Sequence, residues 1–250
     1  MRFVSAIPGL ALLSAVVGCS GSSSTGAAVV GTPVDAATAG SIEVQVTYAG
    51  AAPVPKTIDM RAVPQCAAAH REPVLDQSLV VKDGKLANAV VWIKSGLETW
   101  VFSTPAEPVS IDQKGCIYEP RVAAAMVGQT VRFKNSDPEA HNVHGRPKVV
   151  DAWNFIMSRP GATRDLSFNK PEIAVPIGCD VHPWMSGHLA ILSNPFFGVT
   201  STDGTVKLAN VPPGEYVIGA WHETLGSREK KVSLPPRGSE KLQLELSAAK

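Results

Sequence analysis

The sequence predicts an all-β protein, and two features of its residue pattern indicate this. Short apolar runs rich in β-branched residues are separated along the chain by Gly, Pro, Asp and Asn, as in proteins built from short strands joined by turns. Residues 42–48 and 130–135 alternate apolar and other side chains with the period of a half-buried strand. Helical periodicity is scarce, and only residues 66–70 suit a single helical turn.

The chain length limits the number of domains, and the net charge limits the classes of partner. The chain has 250 residues, enough for two modest domains or one elaborated domain. Its formal net charge is +1, and the basic residues form no patch or stripe of the kind that binds nucleic acid. We therefore expect no nucleic-acid partner.

The N-terminal segment indicates export and attachment to a membrane. One early positive charge, an apolar run too short to span a bilayer and then small residues precede Cys19, which is the pattern of a secretory signal. Val16-Val17-Gly18-Cys19 resembles the cleavage box of bacterial lipoproteins. The resemblance implies that residues 1–19 are signal and lipobox and that Cys19 is lipidated. An ordinary signal peptide with an incidental Cys is the alternative. The Gly/Ser-rich residues 20–40 are expected to form a flexible tether.

Candidate strands follow in two consecutive segments. Residues 41–104 are predicted to be the first part of a β-sandwich, with Asp83-Gly84 as a hairpin-type turn and residues 89–93 as a continuous apolar strand. In residues 105–195, strands are predicted at 109–112, 121–125, 130–135, 162–168, 172–175 and 189–192.

Two short stretches concentrate side chains that bind soft metals. One places a thiol, an imidazole and a thioether at three-residue intervals, at Cys179, His182 and Met185. The other offers His141 just past the end of a predicted core strand, where rigid scaffolds commonly present site residues. Two His, one Cys and one weak Met form the ligand set of a blue-copper electron-transfer site. Structural zinc sites prefer more thiolates and do not use thioethers.

Both stretches resemble the cupredoxin family of blue copper proteins, in the form found in amicyanin and plastocyanin. The matching residues are Cys179, His182, Pro183, Trp184, Met185 and Gly187, then Asn135, His141, Asn142, Val143 and His144. The resemblance implies a cupredoxin Greek-key β-sandwich over residues 105–195. It also implies one type 1 copper ion, with the metal ligands His141, Cys179, His182 and Met185.

The same resemblance assigns roles to the residues around the ligands. Asn135 is expected to tie the two ligand segments together by hydrogen bonds. Pro183 is expected to stiffen the loop, and Trp184 to pack over the site and exclude water. His182 would be the ligand nearest the surface.

The four other histidines are assigned no ligand role. In the family pattern the His followed by Asn-Val is the ligand, which selects His141 over His144, and His188 falls beyond the end of the motif. The alternative is a different ligand set, in which His144 or His188 binds the metal. His70 and His222 are expected to be surface residues.

Cys66 and Cys116 remain after Cys19 and Cys179 have been assigned. We pair them as a disulfide, because the signal indicates export to an oxidising compartment. Two unpaired buried thiols are the alternative.

The last segment, residues 196–250, resembles the carboxypeptidase-regulatory-like (transthyretin-like) β-sandwich. The resemblance is carried by Asp203-Gly204-Thr205-Val206 together with the stretch from Asn210 to Tyr216. These residues supply too few strands for such a sandwich, and residues 41–95 carry the kind of strands that it lacks. We expect one small sandwich split in sequence by the copper segment. Two consecutive domains are the alternative.

The expected function is that of a membrane-tethered periplasmic copper protein that transfers single electrons and is not an enzyme. Ser20, rather than Asp, after Cys19 favours sorting to the outer membrane. The expected partners are redox proteins and, through the lipid, the membrane, with no small-molecule substrate. The alternatives are a copper storage or delivery factor, an adhesion-like binding protein, and an enzyme in which Met185 moves away to open a coordination position.

Overall fold

The computed structural model describes residues 33–248, and its regular elements are almost all strands, so the all-β prediction is confirmed. The predicted signal with Cys19, and the tether as far as residue 32, lie outside the described residues. Among residues 33–248 no helix is long and apolar enough to cross a bilayer. The elements are β1 (Gly40–Tyr48), α1 (Pro64–Ala68), β2 (Val81–Lys82), β3 (Lys85–Leu86), β4 (Val90–Ser95), β5 (Val109–Gln113), β6 (Tyr118–Glu119), β7 (Val122–Met126), β8 (Val131–Asn135), β9 (His141–Gly145), β10 (Trp153–Met157), β11 (Thr163–Leu166), β12 (Glu172–Gly178), β13 (Ser186–Leu192), β14 (Phe197–Val199), β15 (Thr205–Val211), β16 (Gly214–His222), β17 (Gly226–Leu234) and β18 (Ser239–Leu246).

Two sheets built from β5 to β13 share one apolar core, and we call this pair the site sandwich. Their strand orders are β10-β9-β12-β13-β7 and β11-β8-β5-β6. On β8, Val131 and Phe133 are fully buried while Arg132 between them is exposed, as the alternating pattern predicts. Burying a side chain such as Phe133 contributes about 1.5–3 kcal/mol, so these inward positions fix the register of the strand.

The other two sheets form a second sandwich, which we call the flanking sandwich. The first sheet has the order β15-β1-β3-β2, with β18 also paired to β1, and the second has the order β14-β4-β16-β17. Strands β1 and β4, which precede the site sandwich in sequence, pair with β15, β16 and β18, which follow it. The chain thus leaves the flanking sandwich after β4 and returns to it at β14. The domain boundaries and the transthyretin-like identity stay predictions.

Two parts of the chain are placed differently from the predicted segments. Met60 and Cys66, from the predicted first part of the flanking sandwich, are buried in the core of the site sandwich. At the end of the predicted tether, the Asp35 side chain accepts hydrogen bonds from Ala37 and Thr38, and Arg237 donates to both of their carbonyls. Local polar contacts therefore order this end, although its composition favours flexibility.

A buried polar cluster lies where the two sandwiches meet. Arg121 donates to both carboxylate oxygens of Glu223, at 2.6 and 2.8 Å. His188 packs against Trp221, and its Nδ1 is 3.8 Å from Glu223. The desolvation cost of a buried ion pair offsets much of its Coulomb attraction. The cluster joins Arg121 and His188 of the site sandwich to Glu223, which follows β16 of the flanking sandwich.

His222 belongs to the same junction and is fully buried, so the expectation of a surface histidine is wrong. Its Nδ1 accepts hydrogen bonds from the backbone N–H and the hydroxyl of Thr224, while its Nε2 has no partner among the described residues. Burial lowers the pKa of His222 to about 4, because it outweighs the opposing effect of the negative charge of Glu223. The ring is therefore neutral in the folded protein at pH 7.

This pKa predicts an acid-sensitive contribution to stability. Because the folded pKa of about 4 lies below the ordinary histidine pKa of 6.5, the unfolded chain binds more protons between these pH values. The free energy of unfolding should therefore fall by roughly 1 kcal/mol per pH unit, from this group alone, as the pH drops through that window. Urea unfolding of His222→Phe should lack this part of the pH dependence. Thr224→Val, which keeps the imidazole, should retain it. Equal slopes for wild type and His222→Phe would contradict the prediction.

Candidate metal centre

Adjacent strands of one sheet bring the two predicted ligand stretches together. β9 begins at His141, and β12 ends at Gly178, immediately before Cys179. The two strands are antiparallel neighbours, with His144 opposite Gly178. The Tyr118 hydroxyl bridges them, lying 2.8 Å from the Asn142 carbonyl and 3.0 Å from that of Gly178. The start of β9 and the loop after β12 therefore meet at the same end of the sheet.

Three of the four predicted ligands converge in a buried cluster. One donor atom from each of His141, Cys179 and His182 lies within 4.8 Å of the others. The Nδ1 atoms of His141 and His182 are 2.9 Å apart, and the Cys179 sulfur is 3.7 Å from Nδ1 of His182. His141 is 0% exposed, Cys179 is 5% exposed and His182 is 3% exposed. A thiol and two imidazoles thus share one pocket that excludes water.

Asp137 fixes the ring of His141. Its Oδ2 lies 2.9 Å from Nε2 of His141, and the same carboxylate accepts the backbone N–H groups of Gly115 and Cys116 at 2.6 and 2.8 Å. An ionised carboxylate can only accept, so Nε2 carries the hydrogen and Nδ1 is left to face Cys179 and His182. A carboxylate behind a histidine is the arrangement that orients metal-bound imidazoles.

The three donor side chains shift the pKa values of one another. Burial lowers the pKa of His141, but hydrogen bonds to Asp137 and Cys179 outweigh it and raise the value to about 9. Burial raises the pKa of Cys179, but the hydrogen bond with His141 and the N–H groups of Asn142, His182 and Val181 bring it below its ordinary value. Burial and the charge on His141 both lower the pKa of His182. The surroundings therefore favour the deprotonated forms of Cys179 and His182, which are the forms that bind a metal.

The loop between β12 and β13 is closed by its own backbone. Met185 donates its N–H to the carbonyl of His182 at 2.9 Å, and Cys179 donates to the carbonyl of Met185 at 3.2 Å. Met185 is 1% exposed and lies in the same core cluster as Cys179. The loop therefore holds its thiol, imidazole and thioether on one buried side. The role of Met185 as a ligand stays a prediction.

Asn135 makes different contacts from the expected ones. Its amide donates to the carbonyls of Glu139 and Met157, and its Oδ1 accepts the N–H of Asp137, so it holds the turn that carries Asp137. Asn142 and His144 both join the two ligand stretches through Asp180. Asn142 accepts the N–H of Asp180 at 2.6 Å and donates to its carboxylate at 2.8 Å, and Nδ1 of His144 lies 2.9 Å from the same carboxylate. Asn142 belongs to the family resemblance, but its part in joining the stretches was not predicted.

The residues around His182 bury it. Trp184 packs 5.3 Å from the His182 ring, and its Nε1 donates to the Cys116 carbonyl at 3.0 Å. Pro183 is exposed. Cys179 and His182 are both buried, so the expectation that His182 is the ligand nearest the surface stays a prediction. Segment 53–76, which the family motifs do not include and which we call the covering segment, adds Met60 and Cys66 to the same core.

The predicted disulfide between Cys66 and Cys116 is confirmed, with 5.5 Å between the two Cα atoms. It closes segment 53–76 onto the site sandwich. His70 reaches the carbonyl of Gly115 at 2.7 Å, so it is a partly buried contact residue and not an exposed one. His70 follows the C-terminal end of α1, so this contact is a second attachment of segment 53–76 to the site sandwich.

The remaining histidines lie outside the cluster. Nδ1 of His144 lies 2.9 Å from the carboxylate of Asp180, which Asn142 also contacts. His188 contributes to the junction between the sandwiches. Neither belongs to the three-donor cluster around Cys179.

Comparison with known proteins gives partial likenesses only. No model of a known protein family matches the sequence, and no curated protein matches it. The copper-containing nitrite reductase of Thermus scotoductus SA-01 is 22% identical, over 40% of this chain and 25% of its own, with a TM-score of 0.31. A reduced amicyanin mutant is 23% identical over 40% and 97% of the two chains, with a TM-score of 0.31. A purple cupredoxin from Nitrosopumilus maritimus is 22% identical over 33% and 98%, with a TM-score of 0.30.

The chain spans about a quarter of the length of that nitrite reductase. TM-scores of this size carry no argument about function. What the cluster can do therefore rests on its own residues.

The contact between Asp137 and His141 yields a test of the cluster. Asp137→Asn removes the charge that holds Nδ1 of His141 towards Cys179, and should weaken Cu(II) binding about 10- to 100-fold in competition with a chelator. Asp165→Asn removes an exposed carboxylate of the same sandwich, paired with Arg132, and should bind as the wild type does. Thermal unfolding of both metal-free variants checks that the fold is retained. Equal affinities for the two variants would show that Asp137 does not orient a ligand.

Proposed function

We propose that the chain is a type 1 copper protein that transfers single electrons while tethered to a membrane in the periplasm. The observation that carries the proposal is the convergence of His141, Cys179 and His182 in a water-excluding pocket, with Asp137 directing one ring into it. Soft and borderline donors of this kind suit copper better than magnesium, calcium or a four-thiolate zinc site.

The donor set fits one copper ion. Nδ1 of His141, Nδ1 of His182 and the Cys179 thiolate would hold it, with the Met185 thioether as a weak fourth ligand. The lowered pKa values of Cys179 and His182 favour the deprotonated forms that bind a metal. Bound copper supplies a centre that gains and loses one electron.

The surroundings suit electron transfer because they resist rearrangement. His141 is held by Asp137, the ligand loop is closed by two backbone hydrogen bonds, and Asn142 clamps the loop to β9. Ligands fixed in this way move little when the charge of the centre changes. The pocket also keeps water away from the donors, which favours retention of the metal over its release.

A storage or delivery factor needs ligands that a partner can reach, and all four proposed ligands are at most 5% exposed. An enzyme needs space for a substrate beside the centre. The cavity that touches Met185, lined also by Tyr118 and Trp184, holds about 20 Å³. That is room for about one water molecule. Both alternatives are therefore less well supported by the described residues.

The cellular setting is part of the same proposal. Lipidated Cys19 would anchor the chain to the outer membrane, the predicted tether 20–40 would supply the spacer, and the flanking sandwich would hold the site away from the bilayer. Redox proteins would be the partners. The supporting observations are the lipoprotein-like cleavage box and the disulfide, which is typical of exported proteins.

Voltammetry of the copper-loaded protein tests the proposed function. An electron carrier should give a reversible one-electron wave and keep its copper after many cycles in the presence of a Cu(I) chelator. Met185→Leu should raise the reduction potential, because loss of thioether donation destabilises Cu(II). Met157→Leu changes a buried Met of the same core that is not a proposed ligand, and should leave the potential unchanged.

Loss of copper to the chelator within a few cycles would favour delivery and contradict the proposal. A potential that is the same for Met185→Leu, Met157→Leu and wild type would remove Met185 from the ligand set.

A further inference from the structure

The disulfide lies directly against the proposed copper ligands. One ring nitrogen of His182 and the sulfur atoms of Cys66 and Cys116 lie within 4.8 Å of one another. The three residues are 3%, 0% and 1% exposed. His182 therefore belongs to two groups of metal-binding side chains: one with His141 and Cys179, and one with the disulfide pair.

The Cys116 side of this second group is held in place without the disulfide. Asp137 accepts the N–H groups of Gly115 and Cys116, Trp184 donates to the Cys116 carbonyl, and His70 contacts the Gly115 carbonyl. Opening the S–S bond would break none of these contacts, so the Cys116 sulfur would stay beside His182.

The Cys66 side is held by packing. Cys66 is the buried residue of the one-turn helix α1, and it shares the site core with Met60. A backbone bridge between Thr57 and Leu75 joins the two ends of the covering segment. Because the rest of α1 is exposed, only one helical turn separates the disulfide from solvent.

We infer that reduction of the disulfide creates a second metal site, in which the thiolates of Cys66 and Cys116 and the imidazole of His182 bind Cu(I). A dithiol would open the bond. One thiolate of the reductant attacks a cystine sulfur and expels the other cysteine as a thiolate, which leaves a mixed disulfide. The second thiol of the reductant then attacks its own sulfur in that mixed disulfide and expels the second cysteine thiolate, so that two electrons have passed to the pair. The products are two cysteine thiols and the oxidised reductant. Binding of Cu(I) then releases both thiol protons to water.

The donor chemistry selects Cu(I) and makes the site conditional. Two thiolates and one imidazole, enclosed in an apolar core, suit a soft monovalent cation with low coordination number. Zinc would require a fourth ligand. The sulfurs of a disulfide are not thiolates and bind metals poorly, so the oxidised pair offers no site. The redox state of Cys66 and Cys116 therefore decides whether the second site exists.

This inference requires only Cys66, Cys116 and His182, and it does not rest on the proposed electron transfer. It can be tested in a Cys179→Ser background, which removes the thiolate of the first group and keeps the disulfide. The full chain carrying this change, isolated in detergent, is compared before and after treatment with dithiothreitol and anaerobic removal of the reagent.

The readout is Cu(I) binding in competition with bathocuproine disulfonate. Reduction should release two additional thiols with unchanged circular dichroism, and the reduced chain should bind one Cu(I) at least about 100-fold more tightly than the oxidised chain. X-ray absorption should count two sulfur ligands. In Cys179→Ser with Cys66→Ser, reductant should no longer strengthen binding.

Three results would overturn the inference. One is Cu(I) affinity that is the same for the reduced and the oxidised chain. Another is tight binding that survives Cys66→Ser. The last is a disulfide that opens only when the circular dichroism of the fold is lost.

Discussion

The hydrogen bond between Asp137 and Nε2 of His141 is the interaction on which the rest of the site depends. It turns Nδ1 of His141 towards Cys179 and His182, and the same carboxylate anchors the N–H groups of Gly115 and Cys116. One buried charge therefore orients a ligand and positions the cysteine that ties down the covering segment. Because an unpaired buried carboxylate is costly, these contacts constrain one another.

The covering segment changes what a simple two-sheet sandwich would offer. Residues 53–76 pack on the site core, and the Cys66–Cys116 bond lies beside His182. His182 is buried, and sulfur atoms outside the predicted ligand set lie next to it. Val181 and Pro183, on either side of His182, are exposed.

Much of the fold could be predicted because its central strands have a clear local pattern. Alternation along β8 and the apolar run of β4 each correspond to buried faces. Strand β17 is absent from the predicted strands, because its residues are nearly all exposed and highly charged. It forms because β16 offers a paired edge along nine positions, which is tertiary information. Strand β18 is also absent from the predicted strands, although buried residues alternate along it and this signal was available.

The ligand stretches could be found from residue types and spacing, since Cys179, His182 and Met185 follow one another at a short interval. The contacts around them could not. Asp137 differs from any other turn carboxylate only by facing His141 and Cys116 in three dimensions. His222 looked like a surface residue because its neighbours Trp221 and Glu223 gave no sign that the two sandwiches would close over it. Burial at a junction depends on how separate parts of the chain meet.

The visible spectrum of the protein loaded with Cu(II) tests most directly whether Cys179 and the two histidines hold copper. The account predicts an intense blue thiolate-to-copper charge-transfer band at one copper per chain, which Cys179→Ser abolishes. A spectrum without that band, or a band that persists in Cys179→Ser, would mean that the convergence of His141, Cys179 and His182 does not form a type 1 centre.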